Sequence, residues 1–364
     1  MITYIIVCIV AILFASTESL GLYKHGLLLG FITTTILYAL HYNFGNDYFN
    51  YYDWFLETLY SDFPTSFTEF MNWSRDPGWD IINYTFGFLF GEYGFFVLVA
   101  ALGVLQSYAY YSLIRKYVTQ QWYWLSMMVY VFTPALFLQS FNVMRLSLVM
   151  CIFVQVIPML QQKNFFLPLL LLIICTFIHG SSIILIPVAL LSLIPLRPRT
   201  IAITSVVLLI FCFLGKSLFF SLFTDFGSLH LVDRFEHYLD DQEKNTFRFG
   251  YIIGLIPFFI LVIKLISNEI DDYYHLVVYI WLIGIIIAPL SGITTIIERL
   301  TFYFQPISTV ILPLVYAQVK NPILRISFIT LWLILACINI HSYMVPDSIF
   351  YKPYLKYQTI FSVL

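Results

Sequence analysis

Charge is what this 364-residue chain has least of: only 10% of its residues are Asp, Glu, Lys or Arg, and 18 basic residues against 20 acidic ones leave a formal net charge of -2. No block of Lys or Arg occurs, so neither the electrostatic footprint of a nucleic-acid binder nor a polybasic lipid anchor is present. The five cysteines, Cys8, Cys151, Cys175, Cys212 and Cys337, never form a Cys-x-x-Cys pair, and each lies inside an apolar run. That pattern speaks against a disulfide framework or a metal centre and predicts small packing residues. No internal repeat of fixed length is visible. The first segment, Ile2 to Ala15, is apolar but lacks a basic leader and a small-x-small cleavage site, which predicts a retained span and not a signal peptide.

Apolar residues are what the chain has in excess. They make up 60% of the sequence, and the mean hydropathy is +0.87, which places the protein in the membrane as a polytopic, all-α helix bundle. Aromatic residues reach 19%, with 36 Phe, 27 Tyr and 7 Trp, and such rings favour membrane interfaces and the faces of sugars. A crossing helix needs roughly 20 apolar residues, so the runs predict about 12 transmembrane spans, give or take about two. Among them are 93 to 114, 121 to 139, 142 to 161, 164 to 178, 181 to 195 and 299 to 318, in a single integral membrane domain covering 1–364.

Alternating the spans puts Lys24, Arg115 with Lys116, Lys163, Arg197 with Arg199, Lys264, and Lys320 with Arg325 on one face, nearly all in short links. By the positive-inside rule that face is cytoplasmic. The opposite, outer face then carries two long loops, near 45–80 and 224–249, and also Asp47, Arg75, Asp76, Arg145, His179, Glu298 and Arg299. Within the first loop, Asp76-Pro77-Gly78-Trp79 reads as a helix N-cap followed by proline at the first helical position. Trp79, Ile82, Phe86 and Leu89 then recur at helical spacing while Asp80, Asn83 and Gly87 fall elsewhere. This predicts an amphipathic interfacial helix over 77–90.

Three places could carry chemistry. Arg145 opens the span 142 to 161, and its planar fork at that depth suits a phosphate or carboxylate; the alternative is a snorkelling side chain or a structural pair with an acid of the first loop. His179 closes its span in Phe177-Ile178-His179-Gly180-Ser181-Ser182, where an imidazole could serve as a base, donate to a phosphate oxygen, or simply bond a backbone carbonyl. Glu298 and Arg299 open the next-to-last span and could equally pair with helix ends. The first long loop interleaves carboxylates with rings (Asp47, Tyr48, Tyr51, Tyr52, Asp53, Trp54, then Arg75, Asp76 and Trp79), and the second repeats the mixture through Arg234 and Tyr238. Acid and ring together suit a carbohydrate, although an interfacial belt reads the same way.

The ordered motifs resemble the EpsG family, which is similar to the Wzy-type polymerases of capsule, exopolysaccharide and O-antigen synthesis. They are Gly45-Asn46-Asp47-Tyr48 with Tyr51, Asp76-Pro77-Gly78-Trp79 where the family more often shows Glu-Pro-Gly-Tyr, and Asn142-Val143-Met144-Arg145. They continue with Phe177-Ile178-His179-Gly180-Ser181, Glu298-Arg299-Leu300-Thr301-Phe302-Tyr303-Phe304, and Lys352-Pro353-Tyr354. Two departures stand out: His41 where the family has an arginine, and Leu146 where a glutamine often follows the central arginine.

The resemblance implies a glycosyltransferase in a bacterial cytoplasmic (inner) membrane, working on the outer face. It would move a growing glycan from polyprenyl diphosphate (undecaprenyl diphosphate in this setting) onto an incoming lipid-linked repeat unit. Arg145 would stabilise the leaving diphosphate, helped by Arg75 or Arg299. Asp47, Asp76, Glu298 and His179 are the candidate bases, and Tyr48, Tyr51, Trp79, Tyr303, Arg234 and Tyr238 would line the substrate path. No cofactor or metal is expected. Expected partners are the lipid-linked oligosaccharide, the bilayer, and a chain-length regulator and flippase of the same pathway. Other readings remain open at this stage: a polyprenyl-phosphate-sugar glycosyltransferase of the GT-C type, an O-antigen-ligase-like enzyme, or a flippase or transporter. The last would favour midplane charges between repeated halves.

Overall fold

The computed structural model describes residues 1–73, 76–195, 197–215, 249–292, 295–342, 345 and 351–362. Arg75 and most of the second long loop, with Arg234 and Tyr238, lie outside the described residues. The described chain is all-α apart from one two-residue antiparallel pairing, β1 (His41–Tyr42) with β2 (Gln358–Thr359), in which His41 faces Thr359.

The span count needs correction. Among the described residues six helices, not about 12, are long and apolar enough to cross a membrane: Ile2–Ser19, Pro77–Tyr117, Met144–Gln161, Asp272–Ser291, Ile297–Gln318 and Pro322–His341. Five further apolar helices are only 10–17 residues long. Local chemistry cut the expected spans short. The run 121 to 139 stops being helical after Phe132, at Thr133-Pro134, because a residue before proline is driven out of the helical region. The run 181 to 195 opens as a 3-10 turn, Gly180–Ile184, and leaves a helix of only 7 residues, Leu185–Leu191.

The described residues divide into two compact units, Met1–Ala189 with Leu333–Leu364, and Leu190–Trp332. In the first unit the helices are α1 (Ile2–Ser19), α2 (Gly26–Ala39), α3 (Tyr48–Tyr60), α4 (Phe67–Trp73), α5 (Pro77–Phe90), α6 (Gly94–Tyr117), α7 (Tyr123–Phe132), α8 (Phe137–Ser140), α9 (Met144–Gln161) and α10 (Phe166–Ile178). The segment expected as the first outer loop is thus largely helical, in α3, α4 and the start of α5.

This unit has two distinct ends. At one end Tyr4 packs on Phe44, Phe137 and Phe141, and the turns leading into α3 and α9 meet there. At the other end Glu18 bonds Arg115 at 2.7 Å, and its second oxygen accepts from Leu27 N–H at 2.8 Å, so one carboxylate ties α1, α2 and α6 together. Tyr117 O–H donates to Gln161 there at 2.7 Å, bringing in the end of α9. With 18 residues, α1 separates the two ends by about 27 Å, at about 1.5 Å per residue. Gly26 starts α2 in a gap where an added Cβ would stand 2.2 Å from Phe14 O, so only glycine fits.

Helix α5 turns the polar residues of its stripe, together with Trp79, into the protein. Trp79, Asp80, Asn83 and Gly87 face the protein, whereas Phe88 and Leu89 are 76% and 62% exposed.

In the second unit the helix starting at Asp272 is capped by the Asp271 carboxylate, which accepts from Tyr273 N–H at 2.8 Å. Gly284 lets that helix approach the chain at Phe304, whose Cβ would lie 2.5 Å from any Cβ added there. Trp281 Nε1–H donates across to Ser308 Oγ at 3.1 Å. Of the cysteines, Cys8, Cys151, Cys175 and Cys212 are buried and Cys337 is exposed, all as free thiols.

Candidate functional site

The site is built from four chain turns that meet at the aromatic end of the first unit. The first is Gly45-Asn46-Asp47, which leads into α3. Gly45 has φ +121, and a Cβ on it would lie 2.6 Å from Phe141 O; both facts demand glycine. This close approach seats the turn on the Phe141-Asn142 turn that opens α9, and Asn142 Oδ1 accepts from Asp47 N–H at 3.0 Å. The third turn is the start of α5, where a Cβ on Gly78 would lie 2.9 Å from the carbonyl carbon of Phe177. It therefore rests directly on the fourth, the end of α10 at His179.

Asp76 joins these turns. It is the N-cap residue of α5, yet its side chain makes no capping bond. Its backbone carbonyl instead accepts from Trp79 N–H at 2.8 Å, closing the first turn and releasing the carboxylate. One oxygen of that carboxylate, Oδ2, is ion-paired with the Arg145 guanidinium, and the other accepts from Gly180 N–H at 3.1 Å. The acid is 3% exposed. This is the structural pairing that the sequence offered as the alternative for Arg145, and it also places Arg145 beside the turn that follows His179.

Around the guanidinium stands a cage of rings. Its carbon lies 4.7 Å from the Trp54 ring centroid and 5.8 Å from that of Tyr51, within cation–π range. Tyr51 in turn meets Trp79 edge to face at 5.7 Å. Trp54 Nε1–H donates to Asp80 Oδ1 at 2.6 Å, and Thr58 O–H donates to the same oxygen at 3.3 Å. Arg145 Nε is buried and has no hydrogen-bond partner among the described residues. His41, at the edge of this region, donates Nδ1–H to the Tyr38 carbonyl, and burial pushes its imidazole down to about 4.

The profile of the EpsG family matches residues 26–359. This chain belongs to the EpsG family. No curated protein and no solved structure matches it.

For this EpsG-family chain the structure brings Asp47, Asp76, Arg145 and the His179 turn together with Tyr51 and Trp79. Tyr48 is fully buried among His41, Tyr42, Phe49 and Phe95. Glu298, Arg299 and Tyr303 belong to the second unit: the first two are half-buried on Thr295–Phe302, and Tyr303 is fully buried. Among the described residues no group of three or more His, Cys, Asp or Glu could hold a metal ion. Two cavities, of about 230 Å³ beside Gln155 and about 110 Å³ beside Lys264, touch none of these residues.

Sequence reasoning left Thr58, Asp80 and Asn83 out of the site, and named Trp54 and Asn142 without giving either a role. Their signal was a spacing. Asp47, Tyr51, Trp54 and Thr58 fall at steps of four, three and four along α3, and Asp76, Asp80, Asn83 and Gly87 repeat those steps along α5. Each set forms one helical stripe.

Proposed function

We propose that this EpsG-family protein is a polysaccharide polymerase. It transfers a growing glycan from polyprenyl diphosphate to an incoming lipid-linked repeat unit at the outer face of a bacterial cytoplasmic membrane. The observation that supports this best is the junction at Asp76, where one buried carboxylate holds both Arg145 and the backbone N–H beside His179. An acceptor hydroxyl attacks the anomeric carbon of the growing chain, the bond from that carbon to the diphosphate oxygen breaks, and the polyprenyl diphosphate leaves. Arg145 binds the anion that develops, and its fork matches two phosphate oxygens. Both oxygens of Asp76 are engaged, so it positions Arg145. The proton of the acceptor passes to His179, with Asp47 orienting the incoming sugar.

The outer-face assignment draws on the first unit's two ends. Lys24, Arg115, Lys116 and Lys163 gather with Glu18 and Gln161 at one end, and Asp47, Asp76 and Arg145 at the other. Two measurements test the reading. In cells lacking the protein, lipid-linked single repeat units should accumulate on the outside with no polymer; units trapped inside would instead indicate a flippase. A thiol placed by Ser61→Cys should react with an impermeant reagent on intact cells, and one placed by His25→Cys only after permeabilisation. The reverse pattern would overturn the orientation.

A further inference from the structure

We infer that the seam between α3 and α5 is a sugar subsite, which holds the glycan residue next to the diphosphate that Arg145 binds. The inference rests on the proposed function and adds to it Trp54, Thr58, Asp80 and Asn83, which no motif marks. The seam's polar atoms are mixed in kind. Arg145 Nε and Trp79 Nε1 are donors, and the Asn83 amide is both donor and acceptor; all are buried and have no hydrogen-bond partner among the described residues. Trp79 is 0% and Asn83 1% exposed, so bulk water does not reach these groups. An anion could satisfy the donors but not the Asn83 carbonyl, and the Asp80 carboxylate one turn away would repel it. A ring bearing hydroxyls satisfies both kinds, since each hydroxyl donates and accepts.

The walls fit the same ligand. Trp54, Tyr51 and Trp79 supply apolar faces, and the Trp54 and Thr58 bonds hold Asp80 in place as a fixed acceptor. The Arg145 side chain is 21% exposed, more than Asp80 or Asn83, so a phosphate reaching the guanidinium places the sugar attached to it next to the seam. The diphosphate is the hook, and the seam reads what is attached to it.

The test compares two probes on the detergent-solubilised full chain: undecaprenyl diphosphate, and lipid-linked repeat units extracted from cells lacking this protein. Wild type should bind the glycan-bearing lipid more tightly. Asn83→Ala should cut that preference by about tenfold, while binding of undecaprenyl diphosphate stays within about twofold. Arg145→Ala should lose both probes. Trp54→Phe keeps an aromatic ring but removes the shorter of the two bonds that hold Asp80, and it should reduce the preference in the same way, which secures the result if Asn83→Ala does not fold. A preference unchanged in both variants, or absent in wild type, overturns the subsite and leaves the polymerase reading standing. Wild type that binds neither probe overturns the polymerase reading itself.

Discussion

Two arginine–carboxylate pairs stand at opposite ends of the first unit, Arg115 with Glu18 and Arg145 with Asp76, and in both the acid is almost wholly buried, at 4% and 3% side-chain exposure. Their surroundings differ. Glu18 spends its second oxygen on the N-terminus of α2, and Arg115 is 45% exposed over Tyr111 and Tyr123, so water and rings complete its bonding. Asp76 leaves its own helix uncapped to reach the His179 turn, and Arg145 keeps a buried donor with no partner among the described residues. The first pair is saturated and holds helices together. The second leaves one buried donor of its cation without a partner among the described residues, which is what the proposed site would use.

That contrast breaks most readily at Arg145. Arg145→Ala should reduce polymer synthesis by about 100-fold or more at normal protein level, the scale for removing a donor to developing charge. Arg145→Lys should not restore it, because lysine keeps the charge but loses the bidentate fork. Full polymer from the lysine variant, measured in a complemented null strain, would reduce the second pair to the status of the first. Asp76→Asn should cost about tenfold in rate per molecule, since the amide still reaches Gly180 N–H but no longer fixes the guanidinium as an ion pair. An unaffected rate would show that Arg145 needs no positioning.

A smaller effect is expected from Gly78→Ala. Its Cβ, 2.9 Å from Phe177, would push α5 off the His179 turn at a cost on the order of 1–3 kcal/mol, seen as a several-fold drop in rate and a lower Tm. At the other end, Glu18→Ala should lower stability by about 2 kcal/mol, the worth of hydrogen bonds to a charged group, and leave the rate per folded molecule unchanged. Thermal unfolding in detergent and polymer per unit protein separate the two outcomes. A catalytic defect in Glu18→Ala would abolish the distinction.

The sequence revealed the membrane class, the family and the short turns of the site, because a chain 60% apolar admits few solvents and because Gly45, Gly78 and Asn142 are dictated by close approaches that few residues allow. The span count was not legible. A hydropathy window sums apolar residues but is blind to where the helix stops, as it does at Thr133-Pro134. The acid-and-ring segment after Asp47 read as a loop, and a loop has no faces. Once Tyr48–Tyr60 is helical, Tyr51, Trp54 and Thr58 share a stripe and Tyr48 turns into the core. The partner of Arg145 could be narrowed to an acid of that segment, but only folding selects Asp76 among Asp47, Asp53, Glu57, Asp62, Glu69, Asp76 and Asp80.

The diverted carboxylate of Asp76 also sets an order of assembly. Its two side-chain partners lie 69 and 104 residues further along the chain. At about 5–20 residues per second of synthesis, the acid waits on the order of 5–20 s between its own emergence and that of Gly180. For the first 69 of those residues the acid also has no cation beside it, so this stretch is the one most open to proteases and quality control while the protein is being made. A chain interrupted between α9 and the His179 turn would keep the Glu18 latch complete and the Asp76 junction half made, a state that limited proteolysis near residues 61–66 should report.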